Sequence, residues 1–261
     1  MDRSNIEKIA QNPEDKLLLA KLWDKIRTAE NRQIPANTGF LSLREQDMAR
    51  YLFGSLPELH IFGGYDDAER KMLVYLPDYL DASFLLDASS PVACIRAEFY
   101  AGDQLSHRDF LGALMGAGIV RETVGDICPA QGSCDFFVTT EIAPYILQNL
   151  ESAGRTKLHL SQIPLHKARI PEPEVRVIRD TVASNRLDSI ISIGFRISRN
   201  HACEYIAACR AAIDGLPCDK PDRIVPIGAK VSLRGLGKMK LESIGGTTKK
   251  GRLAVIIHRY M

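Results

Sequence analysis

NRLDSIISIGFRISRNHACEYIAACRAAIDG, residues 185–215, is the stretch on which the reading of this chain turns. Asn185 and Ser198 each stand just ahead of a run with apolar residues at helical spacing, so two short helices are predicted, from Asn185 to Gly194 and from Ser198 to Cys209. Asp214-Gly215 follows, and both residue types accept the left-handed backbone of a tight turn. Residues 211–213 and 216–218 should therefore pair as a hairpin. Further strands are expected at 231–234, 240–244 and 253–258.

Charge follows the same division. From Thr181 onward there are 14 Lys and Arg against six Asp and Glu, a net of +8, which leaves −6 on the first 180 residues of a chain whose total is only +2. A basic module on an acidic body is the footprint of a polyanion binder. The start of the second helix places free amides and the positive end of the helix dipole beside Arg199, Asn200 and His201, an arrangement that favours phosphate. The plain alternative is that Ser198 caps the helix and Arg199 is a solvated surface cation. Lys249-Lys250-Gly251-Arg252 puts three cations at one turn, where they repel one another unless an anion arrives. The candidate RNA-contacting set is Arg186, Arg196, Ser198, Arg199, Asn200, His201, Arg234, Lys238, Lys240, Lys249, Lys250 and Arg252.

Upstream, Asn12-Pro13-Glu14-Asp15 reads as a cap, a proline at the first helical position and an acidic first turn, opening a helix from Pro13 to Arg32. Ser42 and Glu45 form a capping box ahead of a helix to Phe53, and apolar segments at 59–62 and 71–76 flank Gly63-Gly64-Tyr65 as a hairpin. Between Val92 and Ile163 the periodicity alternates as strand 92–100, helix 107–117, strands 124–129 and 134–139, helix 141–153 and strand 157–163. This is the βαββαβ order of a ferredoxin-like (RRM-like) plait. On the first of these strands Ala93, Ile95, Ala97 and Phe99 form the expected buried set. Pro164, Pro171 and Pro173 mark a linker. The expected fold is α+β, with N-terminal helices and a hairpin at 1–76, the plait at 77–165, a linker at 166–181 and a basic C-terminal module at 182–261.

Arg186-Leu187-Asp188, Ser198-Arg199, Ile206, Ile213-Asp214-Gly215 and Gly228 together resemble the S4 (αL) RNA-binding domain. Two positions depart from that pattern, Cys209 and Ala229, where the family usually has Gly and Asp. The resemblance widens to the YlmH-type S4-domain proteins through Phe40-Leu41 with Arg44-Glu45-Gln46, Gly63-Gly64-Tyr65 with Ala68 to Lys71, His107 to Leu114 with Gly125-Asp126-Ile127, and the segment from Leu233 to Arg252. It implies an S4 domain with a basic β-hairpin extension and a cytoplasmic, non-enzymatic factor. The implied partners are ribosomal RNA and/or tRNA on the large ribosomal subunit, with a role in translation or ribosome-associated quality control.

The middle domain is the weaker RNA candidate. Residues 77–165 carry five bases against eleven acids, and Phe136 and Phe137, being adjacent on one strand, must face opposite sides. Six cysteines without a C-x-x-C pair, and histidines that do not cluster beside them, give no metal signature; no cofactor or small-molecule substrate is expected. Met1 to Ala10 is polar and the longest apolar run, Phe110 to Val120, contains three glycines and is too short for a membrane span, so a cytoplasmic location with free thiols is expected.

His107-Arg108-Asp109 spells the start of a kinase catalytic loop, but Leu114 stands where that loop needs Asn. Gly246 to Gly251 has P-loop spacing without the Lys-Ser/Thr pair. The enzymatic alternative is an RNA-modifying enzyme of pseudouridine-synthase type, many of which carry an S4 domain and a catalytic Asp in an Arg-Leu-Asp motif. Against it, Asp188 lies inside the S4-like module and only 73 residues follow.

Overall fold

Two units make up the computed structural model, Met1–Pro171 and Glu172–Met261, and the residues described are 5–54, 56–87, 89–172, 174–248 and 251–260. The chain is a mixed α+β protein of helices and antiparallel sheets.

A short helix α1 (Ile6–Ile9), not anticipated from the sequence, precedes α2 (Pro13–Arg32). Asn12 Oδ1 accepts from the Asp15 amide at 2.8 Å, so the cap, the proline and the helix limits are as predicted. Strand β1 (Ala36–Asn37) leads to α3 (Leu43–Phe53), whose capping box of Ser42 and Glu45 is formed. Strands β2 (Leu59–Phe62) and β3 (Met72–Tyr75) then pair antiparallel, and the small sheet has the order β1-β3-β2. Trp23 and Ile26 of α2 pack with Leu52 and Phe53 of α3 over one side of this sheet, where Leu73 and Tyr75 are buried.

The second layer of this unit runs β4 (Val92–Glu98), α4 (His107–Gly116), β5 (Val124–Ala130), β6 (Ser133–Thr139), α5 (Ala143–Asn149), a small hairpin of β7 (Ser152–Ala153) and β8 (Thr156–Lys157), and β9 (His159–Ile163). All neighbours in its four-stranded sheet are antiparallel and the order is β5-β6-β4-β9. Helix α5 ends earlier than its sequence suggests, because Gly154 takes φ 59° and turns residues 150–157 into the extra hairpin. Ala93, Ile95, Ala97, Phe136 and Val138 bury the helix-side face with Phe110 and Leu114 of α4.

The opposite face of that sheet is also sealed. Val92, Cys94, Cys128 and Phe137 pack against Phe40, Met72, Val74 and Leu76 of the N-terminal segment. Phe136 and Phe137 do point to opposite sides, and both are fully buried. Tyr65 lies over Phe137 with ring centroids 5.1 Å apart, and a Cβ on Gly64 would meet the same ring at 2.4 Å. Further along the face, Arg96 Nε donates to Asp135 Oδ1 at 2.7 Å and Nη2 to the Lys167 carbonyl at 3.0 Å, while the Arg169 amide donates to Asp135 at 2.6 Å.

The second unit opens with β10 (Val175–Val182), where the sequence reading places a linker. Its alternation of outward and inward residues is legible only once its partner, β15, is known, and the prolines at 164, 171 and 173 end before the strand begins. Helices α6 (Leu187–Phe195) and α7 (Arg199–Ala207) follow, then β11 (Ala211–Ile213), β12 (Leu216–Pro217), β13 (Lys230–Leu233), β14 (Gly237–Thr247) and β15 (Leu253–Tyr260). The six-stranded order is β10-β15-β14-β13-β11-β12. The predicted Asn185 cap is not realised: Arg186 occupies the N-cap, and Asn185 Nδ2 donates instead to the Val225 carbonyl at 2.9 Å. Asp214 and Gly215 both take positive φ at the β11–β12 turn, as its sequence requires. Cys209 also takes a left-handed backbone, φ 53°, a conformation that glycine adopts more readily.

Candidate nucleic-acid interface

The first turn of α7 gathers the most concentrated group of candidate residues. Ser198 Oγ accepts from the His201 amide at 3.2 Å, which fixes the start of the helix and leaves Arg199, Asn200 and His201 exposed around it. Arg199 Nη2 donates to Asp188 Oδ2, and Arg186 Nε lies 3.4 Å from Asp188 Oδ1 without forming a hydrogen bond. The Asp188 side chain is 3% exposed, while those of Arg199 and Arg186 are 57% and 41% exposed. One buried carboxylate thus orients two guanidinium groups whose outer edges face solvent.

Asp188 is itself tightly held. Its Oδ1 accepts from the Ser189 amide at 2.7 Å and from Ser189 Oγ at 3.2 Å. Burial alone would raise its pKa, but the bond from Arg199 and the charges of Arg199 and Arg186 prevail and hold it below the usual carboxylate value. In return the bond to Asp188 raises Arg199 above the ordinary guanidinium value. Two cations share one anion here, so a positive excess remains beside the helix start. Both oxygens of Asp188 are engaged, which is the arrangement of an anchor rather than of a catalytic carboxylate turned toward a substrate.

The other candidates fall into separate groups. Arg196 is exposed at the C-terminal end of α6 with φ 56°. Arg234 is exposed at the β13–β14 turn, where its carbonyl accepts from Arg210 Nη2 at 2.8 Å. Arg210 also lies over the Tyr205 ring, 4.5 Å from its centroid. Arg252 donates from Nε to Thr181 Oγ1 at 2.9 Å, which ties it to β10. Lys249 and Lys250 lie outside the described residues.

Lys238 and Lys240 belong to a different surface. Met239 and Leu241 point into the core beneath α6 and α7, so alternation along β14 sends Lys240 to the opposite face of the sheet. There Lys230, Lys240, His258 and Val177 stand side by side on four strands, with Arg179 beside Ile256 in a neighbouring row. Lys240 Nζ pairs with Glu242 at 2.9 Å, and among the described residues no helix of this unit packs on that face. The predicted cations are therefore divided between the helix layer and the open sheet face. Sequence reasoning missed Arg179 and Lys230 because their place depends on strand register, and it missed Arg210 because its signal is a contact with Tyr205.

In the first unit, an RNA-recognition motif would stack bases on the sheet face away from the helices. That face is occupied from Val92 to Arg96 by protein. His107-Arg108-Asp109 is also explained without chemistry: the Ser106 amide and Oγ both donate to Asp109 Oδ2 at 2.7 Å, so Asp109 closes the start of α4.

Comparison with known proteins now adds three findings. Residues 99–167 match the family model described as "Putative RNA-binding domain in YlmH", so the match falls within the first unit rather than on the basic tail. The Ribosome-associated protein quality control protein P2 of Bacillus subtilis (strain 168) is 33% identical over 228 residues, covering 85% of this chain and 86% of that protein. The solved structure titled "Cell division protein ylmH from Streptococcus pneumoniae" aligns with a TM-score of 0.50 over 62% of this chain and 98% of its own, at 18% identity, a likeness that speaks for the fold alone. A relative matched at that identity over most of both chains leaves one conclusion: this chain belongs to the YlmH-type family.

Proposed function

We propose that the chain is a non-enzymatic RNA-binding factor of the translation machinery, holding structured ribosomal RNA or tRNA on the large ribosomal subunit in ribosome-associated quality control. The quality-control role comes from the name of the Bacillus subtilis relative, and RNA binding from the description of the matched family model. In this reading residues 77–165 are a ferredoxin-like plait and the second unit is an S4-type module with its basic hairpin. The unit beginning at Glu172 carries 16 Lys and Arg against nine Asp and Glu, whereas residues 1–171 carry a net −5.

The observation that carries the reading is the shared carboxylate of Asp188. It holds Arg199 and Arg186 in place before any ligand arrives, so less side-chain freedom is lost when a phosphate binds. Recognition would rest on phosphate neutralisation and on the shape of folded RNA, whose helical grooves hide base edges.

Salt dependence tests this directly. If about six phosphates are engaged, affinity for ribosomal RNA or tRNA falls roughly a thousandfold between ~50 and ~200 mM salt, with duplex slopes as the upper guide. An affinity that does not change with salt overturns the reading. RNase treatment should release the chain from ribosomal particles; complexes that survive it would point to a protein adaptor instead.

A further inference from the structure

A cleft in the first unit lies between one face of α2, the 38–42 loop and the turn at residues 121–122 that precedes β5, with a volume of about 420 Å³. Lys21 and Lys25, one turn apart and exposed on α2, reach it from one side, and Arg70 and Arg121 line it from the other. Leu18, Leu22 and Phe40 supply an apolar wall.

The two arginines are held together by an unusual acceptor. Arg70 Nε donates to the Val124 carbonyl at 3.0 Å and Nη2 to the Phe40 carbonyl at 2.8 Å, while Arg121 Nη1 donates to the same Val124 oxygen. Asp126 fixes the backbone beneath them by accepting from the amides of Glu69 and Arg70 at 2.7 and 3.0 Å. A Cβ on Gly39 would meet the Glu122 carbonyl at 2.8 Å, and one on Gly125 would meet Phe40 at 2.7 Å, so the backbone packs closely here only because both residues are glycine.

Among the described residues, none of these four cations forms an ion pair. In the same unit, Arg27, Arg44, Arg50 and Arg96 each pair with a carboxylate, although the unit as a whole is acidic. Glu45 and Glu122 also line the cleft, but Glu45 Oε2 is taken by the Ser42 amide at 2.6 Å. Burial, followed by the neighbouring Arg70, lowers the Arg121 pKa against the opposing charges of Asp126 and Glu122. The lining carries four positive and two negative side chains. The excess matches a phosphate monoester, whose charge at neutral pH is about −1.5 to −2.

We infer that this cleft binds the terminal phosphate of a nucleotide, with the two arginines and two lysines on the phosphate and the apolar wall against the sugar or base. Two sources share that chemistry, a free mononucleotide and the 5′-phosphorylated end of an RNA strand. The site is built from residues of the first unit alone and does not depend on the role of α7.

Isothermal titration of the full chain with uridine 5′-monophosphate, a 5′-phosphorylated tetraribonucleotide and its 5′-hydroxyl counterpart tests the inference. Saturable binding of at least one phosphorylated probe with Kd below about 1 mM is expected, weakened about tenfold or more by Lys21→Ala/Lys25→Ala and also by Arg121→Met. The melting temperature of each variant checks that the fold survives, and the exposed lysine pair provides a variant that does not touch the core. Lys16→Ala, which removes an exposed cation of the same helix that does not line the cleft, should leave this binding unchanged. A preference for the mononucleotide identifies the free source, and a preference for the phosphorylated strand over its hydroxyl counterpart identifies the RNA end. No saturable binding of any probe up to ~10 mM, or unaltered affinity in the lysine variant, overturns the site.

Discussion

Two arginine–aspartate pairs, one in each unit, use the same chemistry to opposite ends. Asp135 and Arg96 have side chains 1% and 13% exposed, and their remaining bonds go to the main chain of residues 167 and 169. Asp188 is equally buried, yet its two arginines are about half exposed. The first pair fastens the 164–169 segment to a sheet, and the second displays cations. The sheets differ in the same way. That of the first unit is covered on both faces over Val92 to Arg96, whereas that of the second has helices on one face and a basic row on the other. The burial of the partner cation, rather than the presence of an ion pair, separates a pair that ties segments together from one that displays charge to solvent.

The largest expected effect separates the two pairs outright. Arg96→Ala leaves Asp135 buried without its main partner and should lower unfolding free energy by about 3–5 kcal/mol in urea titration, with salt-sensitive RNA binding retained at temperatures where the fold persists. Gly64→Ala tests the seal itself: with φ 98° and Phe137 2.4 Å from the new Cβ, it should cost about 1–3 kcal/mol by the same titration. Arg199→Ala should behave in the reverse manner. It is expected to weaken RNA binding about tenfold, by filter binding at fixed salt, while costing less stability than Arg96→Ala because Arg186 and Ser189 still face Asp188. Equal stability losses in Arg96→Ala and Arg199→Ala would erase the distinction.

Acid titration sharpens the comparison within the first unit. The bond from Arg44, opposed by burial, holds Asp15 below the usual carboxylate value, so its contribution is complete above that value and is lost as pH falls through the depressed one. Between about pH 5 and 3, Asp15→Asn should therefore show a shallower loss of stability than the natural chain, by thermal melting. The smallest effect concerns Cys209. Its left-handed backbone is one glycine tolerates more readily, so Cys209→Gly should stabilise the second unit by up to about 1 kcal/mol. Destabilisation would mean that the thiol contributes packing that outweighs the strain.

Much of the architecture is local and could be read in advance. The caps at Asn12, Ser42 and Ser198 and the Asp214-Gly215 turn depend on residues within a few positions of one another. Local pattern misleads where the deciding contacts lie far away in the chain. Strand β10 resembles a linker until β15 is laid beside it, and Asn185 resembles a cap until Val225 claims its side chain. Helix α5 was overextended because its apolar spacing continues into a segment that Gly154 folds back.

By itself, the sequence determined where α2, α3, α4 and α7 and the Asp214-Gly215 turn begin, that the tail is basic and the body acidic, and that Phe136 and Phe137 diverge. These are matters of spacing, capping and composition. Only the tertiary structure decided what lies on each side of the sheets, that Asp188 serves two arginines, and that Arg70 and Arg121 converge on one carbonyl oxygen. Alternation along a strand assigns side chains to two faces, but what covers each face is fixed by residues dozens of positions away.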